Sequence, residues 1–211
     1  MARSQKQKSS YVGKSGGSVS YWLNGQWVTR TIGKNNNPPT ILQIAVKHLT
    51  AVVSTLLRPV KNFIKLGFSM EVKGTTMNSY NKAFKENYVK AIQGIYPDII
   101  IDYPNAVFSK GNMPVNEETS AKMTAEGVRF SWDATLNLKG MHPNDRVMMI
   151  AYCPEKKYAF YDPDGARRKE GTDFLPMVKY PERVTIHTYV AFIAADKKSI
   201  STTFYTGEFL W

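Results

Sequence analysis

Gly13-Lys14-Ser15 is the first run in the chain whose residue types could do chemistry. Gly-Lys-Ser closes the phosphate loop of many nucleotide enzymes, where backbone N–H groups surround the phosphates and the lysine neutralises them. That loop needs an earlier glycine, a strand before it and a helix after it. The position where the earlier glycine would stand holds Lys8, and the residues that follow, SVSYWL-NG-QWVTRTI, alternate like strands. The run therefore leads into a β-hairpin and not into a nucleotide site.

Other chemistry fails by the same comparison of type with spacing. Asp162-Pro163-Asp164-Gly165 begins like a calcium loop, but Arg167, Arg168 and Lys169 stand where further acids are needed, so it reads as a β-turn. His48, His142 and His187 have no paired spacing, which argues against a metal site. Cys153 is the single cysteine, so an intramolecular disulfide and a thiolate metal cluster are both excluded. No G-x-S-x-G elbow occurs, and the carboxylates are scattered at strand ends. The reading is a protein with no catalytic residue, no metal and no cofactor, and no small-molecule substrate is expected.

Residues 1–17 are small, basic and glycine-rich, and read as a flexible arm. In the hairpin that follows, Asn24-Gly25 supplies the two positive-φ positions of a type I′ turn. That register faces Trp22 with Trp27 and Tyr21 with Val28. After NNNPPT, Thr40 can cap a helix whose apolar positions recur at helical spacing as far as Gly67, with Pro59 set to kink or divide it. Its opposite stripe carries Lys47, Ser54, Arg58, Lys61 and Lys65. A second helix is expected over residues 78–92, with Tyr80, Phe84 and Tyr88 as core aromatics. From Tyr96 the texture changes to short β-branched and aromatic runs such as DRVMMIAY and RVTIHTYVAFIAAD, separated by turns. Seven or eight such runs predict an antiparallel β-sandwich of immunoglobulin or fibronectin type, with Trp132 in its core. The fold class is α+β: a hairpin and two helices over residues 18–95, then a sandwich over 96–211.

The net charge of +11 is unevenly placed, since residues 1–70 hold ten Lys/Arg and no Asp or Glu. A basic third joined to a nearly neutral remainder points to an acidic partner, or else to a solvated basic face. The arm has no apolar core of the signal-peptide kind, so cytoplasmic synthesis is expected. The longest apolar stretch, residues 41–68, is interrupted by Lys47, His48, Arg58, Pro59, Lys61 and Lys65, and no membrane span is expected.

The segments GKSGGSVSYWLNGQWVTR, NNPPTILQ, AIQGIYPDIIIDYPNAVFSKGNM, FSWD and TYVAFIAADKKSISTTFYTG occur in this order through nearly the whole chain. Gly13, Lys14, Gly17, Tyr21, Gly25, Arg30, Gln43, Ser109, Gly111, Trp132, Asp145, Tyr152 and Tyr205 stand at their characteristic positions. The pattern resembles a family of uncharacterised bacterial proteins known only as a domain of unknown function. The resemblance implies an all-β C-terminal part behind a glycine-rich basic N-terminus, and brings no activity with it.

Two functions compete. The first is a non-enzymatic assembly protein, such as a virion or appendage component, forming a homo-oligomer or larger array. Tyr21, Trp22, Trp27, Val28 and Arg30 would contact the neighbouring subunit. The second is sequence-independent nucleic-acid binding through Arg3, Lys6, Lys8, Lys14, Arg30, Lys34, Lys47, Arg58, Lys61 and Lys65, with the hairpin aromatics as stacking surfaces.

Overall fold

The computed structural model describes residues 12–34, 36–115, 118–135 and 139–211; Arg3, Lys6 and Lys8 lie outside them. The chain forms two compact units, Met1–Thr40 and Ile41–Trp211.

In the first unit, β1 (Gly13–Ser15), β2 (Ser18–Leu23) and β3 (Gln26–Thr31) make an antiparallel sheet in the order β1-β2-β3. Asn24 (φ 49°) and Gly25 (φ 76°) form the left-handed pair that a two-residue hairpin turn requires. Trp22 pairs with Trp27 and Tyr21 with Val28, and the two tryptophan rings meet edge to face at 5.4 Å. The turn at Gly16-Gly17 folds residues 13–15 back onto β2, so part of the stretch expected as an arm is a strand.

The second unit begins with α1 (Ile41–Leu57). Pro59 has no N–H to continue the helical ladder, and Arg58–Val60 tighten into a 3₁₀ turn before α2 (Lys61–Gly67). The helix α3 (Ser79–Lys90) starts where the Asn78 side chain accepts a hydrogen bond from the Asn81 N–H at 2.8 Å. The short pair β4 (Ile92–Gln93) and β5 (Ile100–Ile101) follows. Then come β6 (Ser120–Thr124), β7 (Gly127–Ser131), β8 (Arg146–Cys153), β9 (Tyr158–Asp162), β10 (Thr172–Pro176), β11 (Thr185–Ile193) and β12 (Phe204–Leu210).

These seven strands make two antiparallel sheets, β10-β7-β6 and β12-β11-β8-β9. The central strands β8 and β11 are apolar almost throughout because both their faces are covered. On one face Val147, Met149, Ala151, Val190 and Phe192 meet Val128, Phe130, Trp132 and Leu175 of the smaller sheet and its flank. On the other, Met148, Ile150, Tyr152, Tyr189 and Ala191 meet Val53, Leu56, Leu57, Phe63 and Ile64 of the helices. Each large apolar side chain so buried contributes about 1.5–3 kcal/mol. The fold is mixed α+β and mostly β.

Two polar or close contacts fix the helices to the sheet side. Asn87 of α3 is fully buried; its Nδ2 donates to the Ala83 and Val107 carbonyls, and its Oδ1 accepts from the Val107 N–H at 2.9 Å. Gly67 ends α2 against the 106–109 segment, where a Cβ would stand 2.3 Å from the Phe108 carbonyl oxygen. In the first turn of α1, Ile41 is 75% exposed and Leu42 78%. By length and composition Ile41–Gly67 is apolar enough to cross a membrane, although its second half carries Val53, Leu56, Leu57, Phe63 and Ile64 into the core.

Candidate functional site

Side chains alternate across a strand, and in the first unit this sorts the expected contact residues onto two faces. The register aligns Lys14, Val19 and Arg30 across the three strands, with Tyr21 and Val28 on the same face. Trp22 and Trp27 lie on the other face, beside the Ser20–Thr29 hydroxyl pair at 2.9 Å. Tyr21 and the two tryptophans therefore do not make a single stacking platform. Trp22 is 62% exposed and Leu23 52%, while Arg30 and Lys34 are exposed.

In the second unit the turn at Pro59 gathers three of the expected cations. Arg58, Lys61 and Lys65 fall at i, i+3 and i+7, one face of a helical path. They line one wall, with Asn62, of a cleft of about 690 Å³. Asn78, Ser79 and Tyr80 at the start of α3 form the facing wall, and Val72 of the connecting turn completes the lining. The Ser79 hydroxyl donates to the Lys65 carbonyl at 3.2 Å, which ties the two walls together. Lys47 is on α1, outside this lining. The sequence reading found the three cations as part of a stripe. It missed the cleft, because the facing wall comes from residues brought in by the 68–78 turn.

The neighbouring cations are occupied differently. Lys110 bonds to Glu86 at 2.6 Å, Lys90 lies 3.6 Å from the same carboxylate, and Lys82 pairs with Glu71 at 3.3 Å. Burial pushes the Glu86 carboxyl up, but the hydrogen bond and charge of Lys110, with Lys90 and Lys82, outweigh it and hold the group below its ordinary range. Among the described residues, Arg58, Lys61 and Lys65 form no ion pair.

A second grouping surrounds His187, whose ring stacks on Tyr103 at 4.0 Å and whose Nδ1 lies 3.1 Å from the Tyr205 hydroxyl. Burial draws the imidazole below its ordinary value, opposed in part by Glu208 and Glu155. Burial also pushes the Tyr103 and Tyr205 hydroxyls up, so this is a set of neutral hydrogen-bonding groups at neutral pH. Cys153 is buried, and burial and the adjacent Glu155 both raise its thiol, the opposite of what a nucleophile needs. No cluster of three His, Cys, Asp or Glu side chains able to hold a metal occurs among the described residues.

Neither the curated proteins nor the solved structures contain a match to this chain. A family model does match, over residues 6–207, so the cleft, the hairpin sheet and nearly all of the strands lie within it. The chain belongs to the family of unknown function DUF6266.

Proposed function

We propose that the protein is a non-enzymatic structural component that assembles with further copies of itself. The observation that carries this reading is the state of the N-terminal sheet. Among its described residues 12–34, Ser20 alone is buried, while Trp22 and Leu23 are left largely in solvent. A small sheet of short strands is marginal in water unless one face is covered, and among the described residues both β1 and β3 are edge strands. A neighbouring subunit that pairs with an edge or covers the Trp22–Trp27 face supplies both needs.

The strand order supports a finer reading of the second unit. Numbered from β6, the orders β10-β7-β6 and β12-β11-β8-β9 follow the fibronectin type III arrangement, in which three strands face four. We read the unit as such a sandwich, with the helices laid over the outer face of its four-stranded sheet. On this reading α1 and α2 are core helices and not a membrane span, and the protein is a virion- or appendage-type component made in the cytoplasm.

The test is the mass of the full chain in solution, by size exclusion with light scattering at low and moderate salt. The wild-type chain is expected to self-associate in a salt-tolerant way. Trp22→Ser should leave the monomer folded and weaken association by about thirtyfold or more, the loss of one aromatic hot spot. A monomer at all concentrations, or an oligomer indifferent to Trp22→Ser, would refute the reading.

A further inference from the structure

The cleft beside α2 has features that assembly through the N-terminal sheet does not use. Three cations point into one concave space of about 690 Å³, a volume within the usual range of small-ligand sites. The nearest acid in the sequence, Glu71, is engaged by Lys82 and Lys110. The facing wall opens α3, a twelve-residue helix whose dipole places its positive end there. Asn62, Ser79 and Tyr80 add neutral hydrogen-bonding groups, and the half-buried Tyr80 also offers a ring. Three unpaired cations in a groove repel one another. An arrangement that keeps them together is stabilised when an anion enters.

We infer that this cleft binds a phosphate-bearing ligand, with Arg58, Lys61 and Lys65 holding the phosphate oxygens and Tyr80 beside the organic part. Phosphate fits better than a single carboxylate. Its charge and number of acceptor oxygens match three cations, and the arginine fork can take two oxygens at once. The phosphate can be that of a free nucleotide or of a nucleic-acid strand, since the chemistry of recognition is shared.

Calorimetric titration of the full chain tests this with four probes: inorganic pyrophosphate, ATP, adenosine and a short oligothymidylate. At least one phosphate-bearing probe is expected to bind, and adenosine is not. Lys61→Gln should weaken binding about tenfold, and the triple variant Arg58→Gln/Lys61→Gln/Lys65→Gln about a hundredfold or more. The triple variant Lys122→Gln/Lys157→Gln/Lys169→Gln loses the same net charge on strands and turns outside the cleft lining and should bind within about twofold of wild type, because distant exposed charges are screened. All the changed side chains are exposed, so each variant should keep the wild-type circular dichroism. Binding of ATP and pyrophosphate assigns the site to free phosphates. Binding of oligothymidylate alone, with a log–log salt slope of about −2 for three contacts, assigns it to a strand. Failure of every phosphate probe, equal binding of adenosine, or equal losses in the two triple variants would overturn the inference. None of these results depends on self-association.

Discussion

Asp145→Asn should be among the most damaging isosteric changes in the second unit. Asp145 and Arg168 are both almost fully buried and meet at 3.1 Å, Oδ2 to Nε. The guanidinium lies 3.7 Å over the Phe192 ring, and among the described residues its other polar contact is a 3.3 Å bond to the Pro114 carbonyl. Burial draws the Arg168 pKa down and the Asp145 charge partly restores it, so the arginine stays charged and depends on that carboxylate. Asparagine keeps the volume and can still accept the bond that the His142 N–H gives Oδ2 at 2.8 Å. What it removes is the countercharge. Breaking a buried pair on one side costs about 3–5 kcal/mol, which for a chain of this length lowers Tm by roughly 6–20 °C. Arg168→Met should also destabilise, leaving a buried carboxylate with fewer partners. The double variant strands neither charge, so its loss should fall short of the sum of the two single losses by about 1–3 kcal/mol. Urea unfolding can be followed by tryptophan fluorescence, since Trp132 donates its indole N–H to the Arg168 carbonyl at 2.7 Å and reports this region directly. A loss below about 1 kcal/mol for Asp145→Asn, or strictly additive losses, would refute the dependence of Arg168 on Asp145.

Two further outcomes are expected. Asn87→Leu removes the side-chain partners of the Val107 N–H and carbonyl inside the core and should destabilise by about 2–5 kcal/mol in the same urea assay; a loss within about 0.5 kcal/mol would mean these groups find other partners. His187 binds its proton less readily folded than unfolded, so the stability linked to its neutral form is full above the unfolded pKa, about 6.5, and falls as pH drops below it. His187→Gln should flatten the slope of the urea midpoint between about pH 7 and 5, and an unchanged slope would contradict the assignment.

Local rules made much of the chain legible. Asn24-Gly25 determined the hairpin and its register through the need for two positive φ angles. Pro59 determined the break between α1 and α2 by lacking an N–H. The family pattern was also legible, because its glycines and aromatics recur in a recognisable order. The change of texture at Tyr96 comes well before the seven strands of the two larger sheets, which begin at Ser120, and the helices ahead of it share a core with those strands. Density of apolar residues cannot separate those cases, since a helix lying on a sheet and a strand within it both read as apolar runs.

The sequence by itself determined the elements, the basic third and the lack of recognisable catalytic spacing, because each follows from neighbours along the chain. Tertiary structure decided which residues meet. It joined Arg168 to Asp145 and His187 to Tyr103 and Tyr205. It sorted Trp22 and Tyr21 onto opposite faces of one sheet, and it set Arg58, Lys61 and Lys65 across a cleft from Ser79 and Tyr80. Those meetings depend on how the 68–78 turn and the strand crossovers close, and the free energy of closure comes from the shared core, to which residues far apart in sequence contribute together.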